Sequence, residues 1–440
     1  MGNHMDGSTM AIGKRTDAVD VTSLIETDRV HGRLYTDPAV FEQEMAHIFY
    51  GGWVFVGHDS EIPDAGQYVR RTLGREEVLM VRRRDGSVGV MSNRCAHRGN
   101  LVCIKNQGKE RYLTCPYHGW VYDLEGKLRD VPYPDGFAKD KSEFTLRALH
   151  SDSYRGFVFA SFDESVPSLV DHLGKATILI DRACEMSPTG RVRLTAGWSK
   201  QRFYANWKML PENDTDGYHV NDVHASFAEA IDSQYDAAVM GNETAIRSET
   251  KDWGNGHTEL DFSPTYDTPL KWLNSTPERF PEYVQRMLAA YGEEKGNRIL
   301  RNGPPHAVIF PNLFLGEMNI VIFQPVSASE AVQWHTPLLL EDVPDSINSR
   351  IIRNSEAAMG PSAFLLADDS VISERQQMAL RDRADWLDIS RGLNRERVDE
   401  LGVIVGHVTD EGTNRAFWQH YRKVMTSDAG AGPRPMALSA

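Results

Sequence analysis

The chain has 440 residues, of which 62 are acidic and 48 basic, so its formal net charge is −14. This excess of negative charge argues against nucleic acid or an anionic membrane as a main partner. Hydrophobic residues make up 41% of the chain and charged residues 25%, which are ordinary values for a globular protein with a sizeable core. The length suits two domains or one large one. No apolar stretch is long enough to span a bilayer and no signal-peptide pattern is present, so we expect a cytoplasmic protein.

The first predicted element is a helix that follows a loose N-terminal end. Asp37 has the side chain of an N-cap, and Pro38 stands at the first helical position, which tolerates proline. Apolar side chains then recur at helical spacing, which predicts a helix over residues 37–50. We expect residues 1–49 to form an N-terminal segment whose helix packs on the larger domain of the chain.

Short β-rich runs follow this helix. Arg84-Asp85-Gly86 separates two of the runs and indicates a hairpin turn. Similar runs continue as far as Gly156–Ala160. The pattern predicts a small antiparallel β domain over residues 50–165.

Two mixed pairs of cysteine and histidine lie in this β region, in the segments Cys95-Ala96-His97 and Cys115-Pro116-Tyr117-His118. Two thiolates and two imidazoles fit a [2Fe–2S] cluster in which two histidines replace two cysteines on one iron. The same four ligands suit tetrahedral zinc, but zinc fingers usually place a cysteine pair before a histidine pair. We therefore favour the iron–sulfur cluster. Gly99 and Gly119 would let both loops close over it, and Gly119-Trp120 completes a run that resembles the Rieske motif.

The other two cysteines are Cys103 and Cys184. A disulfide between them is poorly motivated in a chain without an export signal. We expect two free thiols, mostly buried.

The remainder of the chain mixes helical and extended patterns. Helices are predicted at 168–187, 206–229, 346–360 and 414–426, and strands at 191–206, 306–324 and 331–340. This mixture predicts an α+β domain over residues 166–426, with an antiparallel sheet surrounded by helices. The small residues, glycines and prolines of 427–440 indicate a disordered tail.

No phosphate loop, dinucleotide fingerprint or nucleophile elbow occurs in the sequence. We therefore expect NAD(P)H to act only indirectly, through a separate reductase.

A second candidate metal site lies near His219 and His224. Their five-residue spacing places them roughly 140° apart on a regular α-helix, so chelation requires a π-type bulge or a broken turn. Two imidazoles and one carboxylate form the facial triad of non-haem Fe(II) oxygenases. Two such histidines alone are usually surface residues, but beside the cluster motif we interpret them as iron ligands.

Together, these motifs resemble the large (α) subunit of Rieske non-haem iron aromatic-ring-hydroxylating oxygenases. The resemblance covers about residues 35–425 and includes Asn213-x-x-Asp216-x-Tyr218-His219-x₄-His224. The sequence is similar to family members that act on benzoate-like, biphenyl-like and terephthalate-like aromatics. The resemblance implies a terminal oxygenase of the bacterial cytosol. Such an enzyme uses O₂ and electrons from a flavin reductase or ferredoxin to convert an aromatic ring to a cis-dihydrodiol.

The resemblance also implies a third iron ligand. In the family this ligand is an aspartate that follows a Gly-Pro segment late in the chain. Counting from Gly360-Pro361 favours Asp369, with Asp368 as the alternative. The implied cofactors are a Rieske [2Fe–2S] cluster and a mononuclear Fe(II).

Further roles follow from the same resemblance. Asp216 precedes His219 by three residues, so on a helix its carboxylate can accept a hydrogen bond from the second N–H of that imidazole and orient it. In the family the corresponding aspartate also connects to a cluster histidine of a neighbouring subunit, here His118. Asn213 and Tyr218 match the motif and are expected to support the same helix. Electron transfer between subunits implies a homotrimer, either alone or as α₃β₃ with a small β subunit.

The substrate pocket is predicted along His306–Pro325, which contains neither arginine nor lysine. A buried carboxylate on the substrate would favour a basic anchor, so this wall favours a neutral or partly ionised aromatic, although Arg353 or Arg375 could reach the pocket. Glu317 is expected to face outward, with recognition of an amino or hydroxyl group as the alternative.

Two histidines and two rival functions complete the expectations. His306 and His335 are expected to be structural, although His306 could touch the substrate. One rival function keeps both metal sites but performs ring monohydroxylation or oxidative O- or N-demethylation. The other rival is an electron-carrier Rieske protein without oxygenase activity.

Overall fold

The structure is a computed structural model that describes residues 19–226, 246–360 and 363–426. The loose N-terminal end, the predicted tail at 427–440 and the last part of the helix predicted at 206–229 lie outside the described residues. Within the described ranges, no helix is long and apolar enough to cross a membrane.

The N-terminal helix forms where it is predicted. The Asp37 side chain accepts a hydrogen bond from the Ala39 N–H and caps the helix Pro38–Glu44, which continues as a π-helical turn over Met45–Phe49. A short helix, Arg33–Thr36, precedes it.

Antiparallel strands make up the region from residue 54 to residue 161. One sheet has three strands in the order His150–Tyr154, Phe157–Ser161 and Val54–His58. A second has four strands in the order Val88–Ser92, Glu76–Arg82, Gln67–Leu73 and Gln107–Lys109. A third has three strands in the order Leu113–Thr114, Val121–Tyr122 and Leu128–Asp130. The hairpin predicted at Arg84-Asp85-Gly86 is confirmed, because the Arg83 N–H donates to the Ser87 carbonyl oxygen at 2.8 Å.

The second half of the chain is built on a nine-stranded antiparallel sheet. Its strand order is Ser199–Phe203, Glu330–Pro337, Asn319–Ser327, Leu313–Gly316, His306–Ile309, His257–Asp261, Glu249–Gly254, Ile404–His407 and Arg397–Val398. Two small pairs join Val192–Arg193 to Leu339–Leu340 and Arg29–His31 to Trp386–Asp388. The strands predicted at 306–324 and 331–340 are confirmed, whereas the segment predicted as a strand at 191–206 forms two strands that belong to different sheets. The hairpin over 249–261 was not predicted.

Helices cover this sheet, and with it they make the α+β architecture that the sequence predicts. They are Leu169–Leu173, Thr177–Glu185, Met209–Asp214, Val220–Val223, Pro281–Tyr291, Glu293–Asn302, Asp345–Met359, Phe364–Asp382 and Gly412–Thr426. Short 3₁₀ turns occur at Val21–Leu24, Asp59–Glu61, Pro134–Gly136, Lys141–Glu143, Gly174–Ala176, Ser263–Thr265, Lys271–Leu273, Pro277–Arg279 and Leu393–Arg395.

The prediction of one continuous helix from residue 206 is wrong. The helix Met209–Asp214 ends at Thr215, whose φ of −119° and ψ of 29° are not helical. Gly217 then passes so close to a neighbouring segment that a Cβ there would lie 2.5 Å from the Val408 carbonyl oxygen. The chain therefore packs its backbone against Val408 here and does not continue the helix that the sequence pattern predicts.

A buried polar cluster holds the N-terminal helix to the second half of the chain. The Glu44 carboxylate accepts hydrogen bonds from Trp207 Nε1 at 2.9 Å, Lys208 Nζ at 2.5 Å and Tyr421 Oη at 2.6 Å. The Glu44 and Lys208 side chains are fully buried. Because a buried charge is stable only when it is paired, this cluster fixes the segment that leads into the histidine motif.

Candidate functional site

The two cysteine–histidine segments form two loops with the same backbone pattern. In the first loop, the Gly99 N–H donates to the Cys95 carbonyl oxygen at 3.0 Å; in the second, the Gly119 N–H donates to the Cys115 carbonyl oxygen at the same distance. Gly99 has a φ of +73° and Gly119 a φ of +70°, a conformation that favours glycine. Each loop therefore turns back over its own cysteine.

The side chains on these loops have the burial that a cluster needs. Cys95 and Cys115 are buried and form no disulfide, and Cys95 Sγ lies 3.2 Å from Tyr122 Oη. A hydroxyl beside a thiolate stabilises its charge, which is a common arrangement around cluster sulfurs.

The two histidines of the loops face each other at the protein surface. The rings of His97 and His118 have centroids 4.6 Å apart, and the His97 ring stacks on Trp120 at an interplanar angle of 4°. His97 Nδ1 is buried without a hydrogen-bond partner, as an atom left for a metal would be. Two buried thiols and two converging imidazoles therefore fit a [2Fe–2S] group with mixed ligands.

Cys103 and Cys184 are free and buried, as predicted. Burial raises the pKa of each thiol to about 11, so neither has the thiolate character of a reactive cysteine.

The second candidate site brings together His219, His224 and Asp369. The two Nε2 atoms lie 3.3 Å apart, and Asp369 Oδ1 lies 3.5 Å from His219 Nε2 and 3.2 Å from His224 Nε2. Within the described ranges, these three residues are the one group of histidine, cysteine or acidic side chains that converges in this way. We call them the triad.

The triad has the spacing and the chemistry of an iron site. Neighbouring ligands about 2.1 Å from one octahedral ion lie roughly 3 Å apart, close to the distances between these three atoms. Asp369 Oδ1 is buried and accepts no hydrogen bond, so a cation would satisfy it. Two imidazoles with one carboxylate are the ligand set of non-haem Fe(II) oxygenases.

A broken helical turn places the two histidines side by side. The helix Val220–Val223 is a single turn, with His219 at its N-cap and His224 at its C-cap. The backbone of His224 leaves the helical conformation at φ −100° and ψ 22°. This is the broken turn that the five-residue spacing requires.

The helix Phe364–Asp382 supplies the carboxylate. Asp369 faces the two Nε2 atoms, whereas Asp368 Oδ2 lies 3.7 Å from His224 Nδ1, on the other side of that ring. Burial alone would raise the pKa of Asp369, but contacts with His219 and His224 outweigh burial and lower it.

Asp216 contacts the backbone of the turn that carries His219. Its Oδ1 accepts hydrogen bonds from the backbone N–H groups of Tyr218 at 2.5 Å and His219 at 3.2 Å, so it caps the turn. The same oxygen is 3.6 Å from His219 Nδ1, which is longer than a hydrogen bond. The Tyr218 ring is 53% exposed and lies under the Arg391 guanidinium.

A mostly apolar cavity of about 140 Å³, which we call the triad cavity, opens beside these ligands. Its lining includes Asn213, Phe262, Tyr266, His306 and Phe314. The stretch predicted to line the pocket thus does so in part. Phe262 and Tyr266 are the N-cap and the C-cap of the 3₁₀ turn Ser263–Thr265, which no sequence signal identified.

The two remaining histidine predictions have different outcomes. His335 is structural, since its Nε2 lies 2.9 Å from Asn319 Oδ1 and 3.0 Å from Ser355 Oγ. His306 lines the triad cavity while its Nε2 lies 2.8 Å from the Asp214 carbonyl oxygen. Burial lowers the pKa of His306 to about 4, so this ring is neutral.

The expectation that Glu317 faces outward is wrong. Its side chain lines the triad cavity, because Glu317 lies in the turn between two strands, where the alternation of inward and outward side chains no longer applies. Lys271 is the basic side chain among the described residues that line this cavity, and neither Arg353 nor Arg375 belongs to that lining.

Comparison with known proteins agrees with this architecture. A Rieske [2Fe-2S] domain matches residues 52–146, and the catalytic domain of the ring hydroxylating alpha subunit matches residues 188–427. The chain is 28% identical to the 2-halobenzoate 1,2-dioxygenase large subunit of Burkholderia cepacia, over 84% of this chain and 83% of that protein. It is 31% identical to the anthranilate 1,2-dioxygenase large subunit of Acinetobacter baylyi, over 83% of this chain and 80% of that protein.

A solved structure shares the fold. Naphthalene 1,2-dioxygenase with indole bound in its active site superposes with a TM-score of 0.82 at 24% identity, covering 93% of this chain and 95% of that chain. Fold and sequence together define the class as a Rieske-type non-haem iron oxygenase, an oxidoreductase that carries a [2Fe–2S] cluster and a mononuclear iron. The chain belongs to the family of ring-hydroxylating dioxygenase α subunits.

This membership excludes two of the alternatives that the sequence left open. The predicted resemblance, the α+β fold class and the oxygenase function are confirmed. The zinc alternative is excluded by the Rieske match, and an electron carrier without oxygenase activity is excluded by the catalytic domain at 188–427.

Proposed function

We propose that the triad binds a mononuclear Fe(II) at the wall of the triad cavity, and that the enzyme converts a single-ring aromatic compound to a cis-dihydrodiol. The observation that carries the proposal is the convergence of three donor atoms within 3.2–3.5 Å of one another beside an apolar cavity. When bound, the iron supplies the activation of O₂, since a facial triad leaves coordination positions open.

The residues of the chain hold the ring and the ligands. Phe262 and Phe314 flank the His306 ring, with centroids 5.0 Å and 4.8 Å away, and form an aromatic wall for the substrate. Edge and face contacts of this kind orient an aromatic ring without charge. Asp216 fixes the turn that presents His219.

The volume of the cavity favours one ring. A cavity of about 150 Å³ lined by apolar side chains holds benzene, and the triad cavity has about 140 Å³. The relatives named above act on 2-halobenzoate and anthranilate, each of which has one ring. We therefore infer a monocyclic substrate for this enzyme.

We infer that electrons pass between subunits, from the cluster of one to the triad of the next. His118 and Asp216 are both partly exposed on the single chain, where a second copy could join them. This path requires a ring of subunits, so we propose a homotrimer or an α₃β₃ assembly with a small β subunit. A cytoplasmic ferredoxin or flavin reductase would supply electrons taken from NAD(P)H.

We assign the cluster domain to residues 50–165 and the catalytic domain to residues 166–426, with residues 1–49 packed on the latter. The buried contacts of Glu44 with Lys208 and Tyr421 support the last assignment. A separate core around Cys95 and Trp120 supports a cluster domain.

Reduced protein loaded with iron tests the proposal when it is mixed with toluene and O₂. A dihydrodiol that depends on both iron and O₂ is expected. His219→Ala is the control, because it should abolish product while the visible spectrum of the cluster persists. Product formation at the normal rate in this variant would contradict the assignment of the triad.

A further inference from the structure

Glu317 has an unusual position for a strand-associated carboxylate. It lies in the turn between the strands Leu313–Gly316 and Asn319–Ser327, with a φ of +59° that few residues other than glycine adopt. Its backbone N–H donates to the Pro305 carbonyl oxygen at 2.9 Å, which holds the turn in place. The residue is therefore fixed at the wall of the triad cavity.

The Glu317 carboxylate lacks a strong partner among the described residues. Tyr266 Oη donates to its Oε1 at 3.4 Å, a long and weak hydrogen bond. No described basic side chain forms an ion pair with it within 4.0 Å. Burial raises the pKa of Glu317 to about 7, the effect of removing a carboxylate from water without a compensating charge. Such an acceptor has unused hydrogen-bonding capacity.

Glu317 also stands where two cavities meet. A second cavity of about 140 Å³, which we call the distal cavity, is lined by Trp272, Met318 and Ile351 among others. Glu317 and Asn274 line both the distal cavity and the triad cavity. A substituent on a ring in the triad cavity that points toward the distal cavity therefore meets the Glu317 side chain.

The charge of the triad cavity disfavours an anionic substituent at this point. Glu317 lines it and is not paired with a described basic side chain, so its ionised form repels an anionic group placed beside it. Lys271 is 29% exposed and lies 3.8 Å from Asp267, so its charge is shared with another carboxylate and with solvent. A group that donates a hydrogen bond suits this wall better than one that only accepts.

We propose that Glu317 is a specificity-determining residue that accepts a hydrogen bond from an amino or hydroxyl substituent of a monocyclic aromatic substrate. The inference rests on the proposed function of the triad cavity. It predicts a preference for phenol-like or aniline-like rings over purely hydrocarbon rings of the same size.

Equilibrium binding to the iron-loaded, oxidised holoenzyme without turnover tests this role. Phenol, aniline, toluene and benzoate are the probes, at pH 8, where Glu317 is ionised. The measured quantity is the affinity for phenol or aniline relative to toluene. Glu317→Leu is expected to lower this ratio by at least about tenfold, and Glu317→Gln, which keeps an acceptor without charge, by less. Glu330→Gln, which removes a carboxylate outside the cavity, is the matched control and should leave the ratio unchanged.

Each outcome decides the inference. An unchanged ratio in Glu317→Leu, with normal toluene affinity, would overturn it. Benzoate binding more tightly than phenol to the wild type at pH 8 would also overturn it, because an ionised Glu317 only accepts hydrogen bonds and repels a carboxylate. If the wild type oxidises none of the probes with O₂, the proposed function is contradicted. The ratio of binding affinities would still show whether Glu317 recognises the substituent.

Discussion

His219 Nε2 and His224 Nε2 lie 3.3 Å apart, although their residues are separated by five positions in the sequence. The two atoms come this close because the helix between the residues is one turn long and ends at His224. Asp369 reaches the same point from a different helix. The triad is thus a tertiary arrangement and not a property of one helix.

Substitutions should show which of Asp368 and Asp369 is the third iron ligand. Asp369→Ala is expected to lose the mononuclear iron, because it removes the one carboxylate that faces both Nε2 atoms. Asp368→Ala should keep the iron, since its carboxylate lies beside Nδ1 of His224. Iron analysis against the absorbance of the cluster measures both. Iron loss in Asp368→Ala with retention in Asp369→Ala would reverse the assignment.

Asp216 should matter for electron transfer more than for iron binding. Asp216→Ala is expected to retain both metal centres but to slow reoxidation of the reduced cluster roughly 10–100-fold, the usual cost of removing an orienting partner. Asp222→Ala, an exposed carboxylate on the adjacent turn, is the matched control. Stopped-flow absorbance of the cluster gives the rate. Equal reoxidation rates in the two variants would show that Asp216 takes no part in electron transfer from the cluster.

The buried pair of Glu44 and Lys208 should be important for stability. Lys208→Met leaves the Glu44 charge without its cation, and we expect the free energy of unfolding to fall by about 3–5 kcal/mol. Glu42→Gln breaks the exposed ion pair with Arg75 and should cost less than about 1 kcal/mol. Urea unfolding compares the two. A similar small loss in both variants would show that the buried cluster contributes little.

The buried Glu212 carboxyl should make the free energy of unfolding depend on pH. Burial raises its pKa to about 7 in spite of hydrogen bonds from Tyr35 and Trp418, whereas its ordinary value is 4.5. The native state therefore holds this proton more tightly than the unfolded chain does. The stability of the wild type relative to Glu212→Gln should be greatest below about pH 4.5 and fall by on the order of 3 kcal/mol as the pH rises to 7. A difference that stays constant over this range would refute the assignment.

The parts of the site that sequence could predict are those encoded locally. The cysteine–histidine loops are short motifs whose residue types and order predict a cluster. His219 and His224 are interpreted as iron ligands only in the presence of that motif, because their five-residue spacing does not bring them together on a regular helix. Asp369 depended on the family resemblance, because no local pattern distinguishes it from Asp368. The predicted strands and the helix after Asp37 followed from periodicity and capping, which act over a few residues.

Part of the cavity wall could not be predicted from the sequence, for a physical reason. Glu317 and Asn274 have positive φ values, and Lys271 lies in a 3₁₀ turn, so none of them follows the periodicity of a strand or helix. Their convergence depends on tertiary packing. The break after Asp214 likewise depends on contact with Val408, which is distant in sequence.

The most direct test of the account is a single turnover of the pre-reduced enzyme with ¹⁸O₂ and a monocyclic arene, read by mass spectrometry. The account predicts a product that carries two labelled oxygen atoms on adjacent ring carbons. A product with one labelled atom, or release of formaldehyde from a methoxy- or methylamino-substituted ring, would contradict ring dihydroxylation and make the enzyme a monooxygenase or demethylase.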